Sequence, residues 1–232
     1  MARKKRQVLQ KAARTLITNL NPKSPISEQY RTIRTNLQFA SVDQELRTML
    51  VTSSGPSEGK SMTASNVATV FAQQGKKVLL IDGDLRKPTM HYTFHVSNLT
   101  GLSSYLVGQN NLSEVVSKTK VENLSIMPCG PVPPNPAELL GSEAMSRLME
   151  EAKETYDMVI FDTPPVLAVT DSQILANAVD GVLLVVRSKH TQQEASQKAK
   201  ELLDNAHAKL LGVVLNGKSV KESQYYYYYG EK

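Results

Sequence analysis

The chain has 232 residues, 41% of them hydrophobic and 21% charged, with a formal net charge of +5. That length and balance suit one globular α/β domain with a sizeable core. No run approaches the roughly 18 apolar residues of a membrane-spanning helix or forms a signal-peptide core, and the single cysteine, Cys129, excludes an intrachain disulfide or a multi-cysteine metal site.

Positive charge gathers at the start, in Arg3, Lys4, Lys5, Arg6, Lys11 and Arg14. Such a run attracts anionic lipid, nucleic acid or an acidic protein surface, or simply solubilises a tail. Basic residues alone do not make a nucleic-acid reader, and no direct nucleic-acid binding is expected. Residues 1–26, broken by Pro22 and Pro25, read as a mobile basic arm with one weak helix near residues 7–18. Ser27 has the character of an N-cap for a helix running past Leu37. On that helix Glu28, Arg31 and Arg34 recur every three residues, which places them on neighbouring turns of one face. The spacing fits an exposed salt-bridged face or a charged interface with another subunit.

Residues 48–53 form the first expected strand. Ser53-Ser54-Gly55-Pro56-Ser57-Glu58-Gly59-Lys60-Ser61 follows, then a helical pattern from Ser61 to about Gln74. A glycine-bearing loop between a strand and a helix turns unpaired N–H groups towards phosphate oxygens. In that setting Ser54, Gly55, Pro56, Ser57, Glu58 and Gly59 would line a nucleotide, Lys60 would place a charge at its β- and γ-phosphates, and Ser61 would offer its hydroxyl to Mg²⁺. The match is incomplete, since Ser54 stands where the usual pattern has a first glycine.

The next strand, Lys77–Asp82, carries the continuous apolar run Val78–Ile81, as suits a parallel strand covered on both faces. Asp82 and Asp84 fall at its carboxyl end, where such folds place their sites. Two carboxylates beside a phosphate site call for Mg²⁺ as compensation. One of them can also position an incoming hydroxyl; a turn-capping role is the alternative. His91 and His95 lack further ligands at metal spacing and read as packing or surface residues. A short helix is expected over 112–118, a strand over 124–127, and one helix from Ala137 to Ala152. The strand 156–162 ends on Asp162, before Thr163-Pro164-Pro165, and is the expected second acidic motif, able to hold Mg²⁺ or orient its water shell. A helix after Thr170-Asp171, a strand at 181–186, a helix at 191–206 and a strand at 209–215 complete the pattern. Arg187 and Lys189 follow one strand end, and Asn216, at the other, lies where a loop can touch the base. Strands alternating with helices predict an α/β P-loop NTPase fold, with a mainly parallel central sheet flanked by helices. The expected division is a basic arm over 1–26, one domain over 27–220 and a tail over 221–232.

That tail carries five consecutive tyrosines, Tyr225, Tyr226, Tyr227, Tyr228 and Tyr229, out of nine in the chain. A buried strand has no use for five identical aromatics at its end, so the cluster reads as exposed. Each hydroxyl can accept phosphate, adding about −1.5 to −2 charge.

Taken together, these motifs resemble the bacterial tyrosine kinases, in particular the separate cytoplasmic kinase subunit of Gram-positive capsule or exopolysaccharide systems. The resemblance rests on Lys60-Ser61, Leu80-Ile81-Asp82-Gly83-Asp84, Ile160-Phe161-Asp162-Thr163-Pro164-Pro165 and the tyrosine cluster. It implies ATP and Mg²⁺ as cofactors, served by Lys60, Ser61, Asp82 and Asp162, with Asp84 aiding the acceptor tyrosine. It implies autophosphorylation of Tyr225–Tyr229 by a neighbouring subunit in a homo-oligomeric ring, commonly of eight, joined through Glu28, Arg31 and Arg34. Finally, it implies a membrane-bound adaptor that recruits a cytoplasmic kinase to the membrane, other protein-tyrosine substrates, and a cognate phosphatase. The alternatives are a partitioning or cell-positioning ATPase, whose signature lysine would stand at Gly55, and a nucleotide-controlled binding protein.

Overall fold

The computed structural model describes residues 16–40 and 45–218. The basic run of residues 3–14 and the tyrosine cluster lie outside the described residues. The elements are α1 (Ile17–Leu20), α2 (Pro25–Phe39), β1 (Thr48–Ser53), α3 (Lys60–Ala72), β2 (Val78–Asp82), α4 (Met90–Phe94), α5 (Leu102–Leu106), α6 (Leu112–Val115), β3 (Ser117–Lys118), β4 (Leu124–Met127), α7 (Pro136–Leu140), α8 (Glu143–Thr155), β5 (Met158–Asp162), α9 (Asp171–Ala176), β6 (Gly181–Arg187), α10 (Gln193–Asn205) and β7 (Leu210–Asn216).

One seven-stranded sheet runs in the order β3-β4-β2-β5-β1-β6-β7. Every pairing is parallel except β3 with β4. The strands β1, β2 and β5 are buried at every position. Side chains alternate across the pleat. Leu50, Leu79, Ile81, Val159 and Phe161 pack on one face with Leu148 and Ala152 of α8, Leu175 of α9 and Leu203 of α10. Met49, Val51, Val78, Leu80, Met158 and Ile160 pack on the other with Leu37 of α2 and Val67 and Phe71 of α3. Helix α3 buries every residue from Thr63 to Ala72, the mark of a helix covered on all sides.

Local chemistry moves several expected boundaries. Helix α2 begins at Pro25, not after Ser27: Ser24 is its cap, accepting from the Ile26 N–H at 3.2 Å. The proline that read as a break sits in the first turn, where its missing N–H costs nothing. Ser27 is buried and donates to the Asn21 carbonyl at 2.7 Å. The single helix expected from Ala137 divides at Gly141-Ser142, because Ser142 caps α8. The helix expected over 112–118 stops at Val115, and Ser117–Lys118 pairs with the edge of β4 instead.

The docked part of the chain also begins earlier than the expected boundary at residue 27. Thr18 is buried, and both its N–H and its hydroxyl donate to Asn66 Oδ1 on α3, at 3.1 and 2.8 Å. Gln73, the C-cap of α3, donates to the Thr18 carbonyl at 3.0 Å. Removing the hydroxyl leaves Asn66 Oδ1 with the Thr18 N–H but without its shorter bond, so Thr18→Val should lower the unfolding free energy by about 1 kcal/mol in urea denaturation.

Candidate functional site

The site forms where β1, β2 and β5 end together. From Ser53 the chain enters the loop 54–59 and turns into α3 at Lys60. Gly59 precedes the helix at φ +99°, and a Cβ there would lie 2.0 Å from Asn216 Nδ2, so only glycine fits. Ser57 holds φ +65°, a left-handed conformation that costs a serine about 1–3 kcal/mol. Ser53 donates its hydroxyl to the Gly55 carbonyl at 2.7 Å, tightening the loop's first turn. Ser54 Oγ is buried and meets no hydrogen-bond partner among the described residues.

Because β5 lies between β1 and β2, Asp162 stands beside the loop, and the register sets Asp162 directly against Asp82. The Lys60 ammonium lies 3.2 Å from Asp84 Oδ2 and 3.4 Å from Asp162 Oδ1. Burial works against the Lys60 charge, but the Asp162 and Asp84 carboxylates outweigh it and hold its pKa above the ordinary value. Burial, reinforced by the charge of Asp162, pushes Asp82 up to about 7. Burial also raises Asp162, opposed by Lys60 and by a hydrogen bond from Ser61. Three carboxylates therefore share one ammonium, and the site is short of positive charge. Asp82 Oδ2 also accepts from the Thr89 and Met90 N–H groups, at 3.0 and 2.9 Å, and Asp84 Oδ1 from the Lys87 N–H at 3.0 Å. Turn capping and membership of the site coexist. The strand ends at Asp82, so Asp84 reaches Lys60 from the turn rather than along a continued strand.

Asn216 closes the other flank. Its amide donates to the Glu58 carbonyl at 2.8 Å, placing it on the phosphate loop itself. Arg187 donates to the Ser57 carbonyl at 3.1 Å. Arg86 is held by a two-bond ion pair with buried Asp171, both bonds at 2.9 Å, which commits it to α9. Glu28, Arg31 and Arg34 lie apart from this pocket on α2. Arg31 pairs with Glu28 at 2.8 Å and donates to the Pro22 carbonyl at 2.6 Å, while Arg34 turns onto α3 and donates to the Val70 carbonyl at 3.0 Å. Two contributors carried no sequence signal. Thr191 donates to Glu58 Oε1 at 2.5 Å, and Asp171 anchors the Arg86 turn; a threonine after a strand and an aspartate opening a helix read as ordinary turn and capping residues.

A divalent cation fits these residues. Its charge would relieve the surplus of carboxylate, and Ser61, Asp82 and Asp162 are the hard oxygen donors within reach. Among the described residues no three His, Cys, Asp or Glu side chains converge as a complete ligand set. Magnesium is suited to such a partial set, since it keeps waters and takes phosphate oxygens.

A phosphate-type loop between β1 and α3, with acidic strand ends on β2 and β5 of a parallel sheet, defines a nucleotide-binding α/β protein of the P-loop class. Residues 49–210 match the AAA domain family. The chain is 53% identical over 219 residues to tyrosine-protein kinase YwqD of Bacillus subtilis (strain 168), covering 94% of this chain and 92% of that protein. It is 43% identical over 211 residues to putative tyrosine-protein kinase CapB of Staphylococcus aureus, covering 90% and 92%. The kinase domain of Escherichia coli tyrosine kinase ETK superposes with a TM-score of 0.86 at 37% identity, over 92% of this chain and 84% of that one. The chain belongs to the bacterial tyrosine kinases, and it is a tyrosine-protein kinase.

The raised Asp82 pKa has a thermodynamic consequence. A carboxyl group that holds its proton more tightly when folded contributes stability at low pH that is lost as pH rises from the ordinary value of about 3.9 towards about 7. The nucleotide-free protein should therefore melt at a lower temperature at about pH 8 than at about pH 5, and Asp82→Asn should shrink that difference in scanning calorimetry.

Proposed function

We propose that this kinase transfers the γ-phosphate of Mg-ATP to its own tyrosine cluster, Tyr225–Tyr229, in a neighbouring copy of the chain, and so regulates capsular or exopolysaccharide synthesis or export. The observation that carries the reading is Lys60 held between Asp84 and Asp162 at the foot of the phosphate loop. Lys60 and the loop Ser54–Ser61 bind the phosphates. Asn216, which donates to the Glu58 carbonyl, would touch the base. Ser61, Asp82 and Asp162 would hold Mg²⁺, which supplies charge neutralisation for the transferring phosphoryl group.

In the transfer, the phenolic oxygen bonds to phosphorus as the bond to the ADP oxygen breaks, and the phenolic proton leaves through Asp84 or solvent. A free tyrosine has pKa about 10 and aspartate about 3.9, so Asp84 is a weak equilibrium base. Its role is to orient the hydroxyl, which a loose phosphoryl transition state rewards more than early deprotonation. A phosphate near Lys60 competes with Asp84 for the same ammonium, and that competition would release Asp84 towards the acceptor.

Action in trans goes with a ring of subunits joined through Glu28, Arg31 and Arg34. Of these, Glu28 and Arg31 are the ones on the outer face, since Arg34 is spent on the Val70 carbonyl. Among the described residues no helix is long and apolar enough to cross a membrane. Recruitment from the cytoplasm by a membrane-bound adaptor, reversal by a cognate phosphatase and action on other protein tyrosines complete the reading.

Two experiments test it. Purified protein with Mg-ATP and the adaptor's cytoplasmic segment should gain phosphate on Tyr225–Tyr229 by mass spectrometry, and Asp84→Ala should slow that gain at least about 100-fold while changing ATP affinity only a few-fold. Tail tyrosines left unmodified under saturating ATP would count against the transfer. Separately, Arg31→Ala should lower the mass of the assembly in light scattering, and an unchanged mass would remove α2 from the interface.

A further inference from the structure

The phosphate loop does not hold its shape alone. Its segment Ser57-Glu58-Gly59 combines a serine and a glycine at positive φ with a carboxylate, Glu58, that is almost wholly buried. Besides the first helical bond of α3, from the Thr63 N–H to the Gly59 carbonyl, three side chains from the ends of β6 and β7 and the turn after β6 bond to this segment among the described residues. Asn216 donates to the Glu58 carbonyl at 2.8 Å, Arg187 donates to the Ser57 carbonyl at 3.1 Å, and Thr191 donates its hydroxyl to Glu58 Oε1 at 2.5 Å. The Thr191 hydroxyl also accepts from the Arg187 N–H at 2.8 Å, so one oxygen joins the carboxylate to the strand that carries Arg187. Glu58 Oε2 is buried with no hydrogen-bond partner among the described residues, which leaves Thr191 as the side chain that answers for the buried carboxylate.

We propose that Thr191 is a positioning residue for nucleotide binding, acting through Glu58 to hold the Ser57–Gly59 segment in the form that receives phosphate. This rests on the reading of the loop as the phosphate site. A serine in the left-handed region is uncommon because its Cβ crowds the backbone there. The loop form therefore needs an outside contribution, and the Thr191–Glu58 bond provides it. Without that bond the competent form becomes a smaller fraction of the population, and apparent affinity falls by that fraction.

Thr191→Val keeps the shape and removes both hydrogen bonds, whereas Thr191→Ser keeps both. Calorimetric titration of the full chain with Mg-ADP should show affinity falling roughly tenfold in Thr191→Val and remaining near wild type in Thr191→Ser. Glycine accepts positive φ without the Cβ penalty. In a Ser57→Gly background the same Thr191→Val change should therefore cost clearly less, about twofold. A merely structural threonine would give equal losses in both backgrounds. Unchanged affinity in Thr191→Val, or equal losses with and without Ser57→Gly, would overturn the proposal while nucleotide binding by the wild type stood. A wild-type chain that binds no Mg-ADP would overturn the phosphate-site reading and this proposal with it.

Discussion

A single ammonium among three buried carboxylates is the constraint on which the site depends. Lys60 opens α3, and its amine reaches Asp84 and Asp162 while feeling the charge of Asp82. In a low-dielectric setting each of these charges is costly alone. Lys60 makes the cluster tolerable but leaves it short of positive charge, as the raised values of Asp82 and Asp162 record. A divalent cation would offset that shortfall, and anionic phosphates would need the same cation to sit beside these carboxylates.

The order of the strands makes that cluster possible. β1 and β2 are consecutive in the chain but not neighbours in the sheet; β5 comes in between them. The insertion sets the phosphate loop, Asp162 and Asp82 side by side at the carboxyl ends of adjacent strands, where the Asp82–Asp162 register fixes their relation. The turn Gly83-Asp84 then leans on β5, with the Gly83 N–H donating to the Asp162 carbonyl at 2.8 Å. Both sheet faces are sealed by helices, so the strand ends are the part of these strands left for chemistry.

The loop and the helix after it are braced from two sides. Thr191, Arg187 and Asn216 hold its strained segment from the far half of the sheet. Thr18 and Gln73 tie the start of the described chain to α3. Helix α2 leans on the same helix through Arg34 and the Val70 carbonyl.

Much of this was legible in the residues themselves. Apolar runs of strand length, each ending in acid or turn residues, marked β1, β2, β5, β6 and β7, and the Gly59-Lys60-Ser61 step marked the phosphate loop, because local hydrophobicity and backbone chemistry act over a few neighbours. Boundaries that depend on which of two nearby groups caps a turn were misplaced, as at Ser24 against Ser27 and at Ser142. The two-residue β3 left no trace, since its pairing exists only where β4 offers an edge. Thr191 was silent for the same kind of reason: its partner Glu58 is 133 positions away. The residue types and their chemistry were thus determined by sequence alone. The insertion of β5, the sharing of Lys60 and the bracing of the loop were decided by the tertiary structure, because they are contacts between segments whose nearness no local pattern encodes.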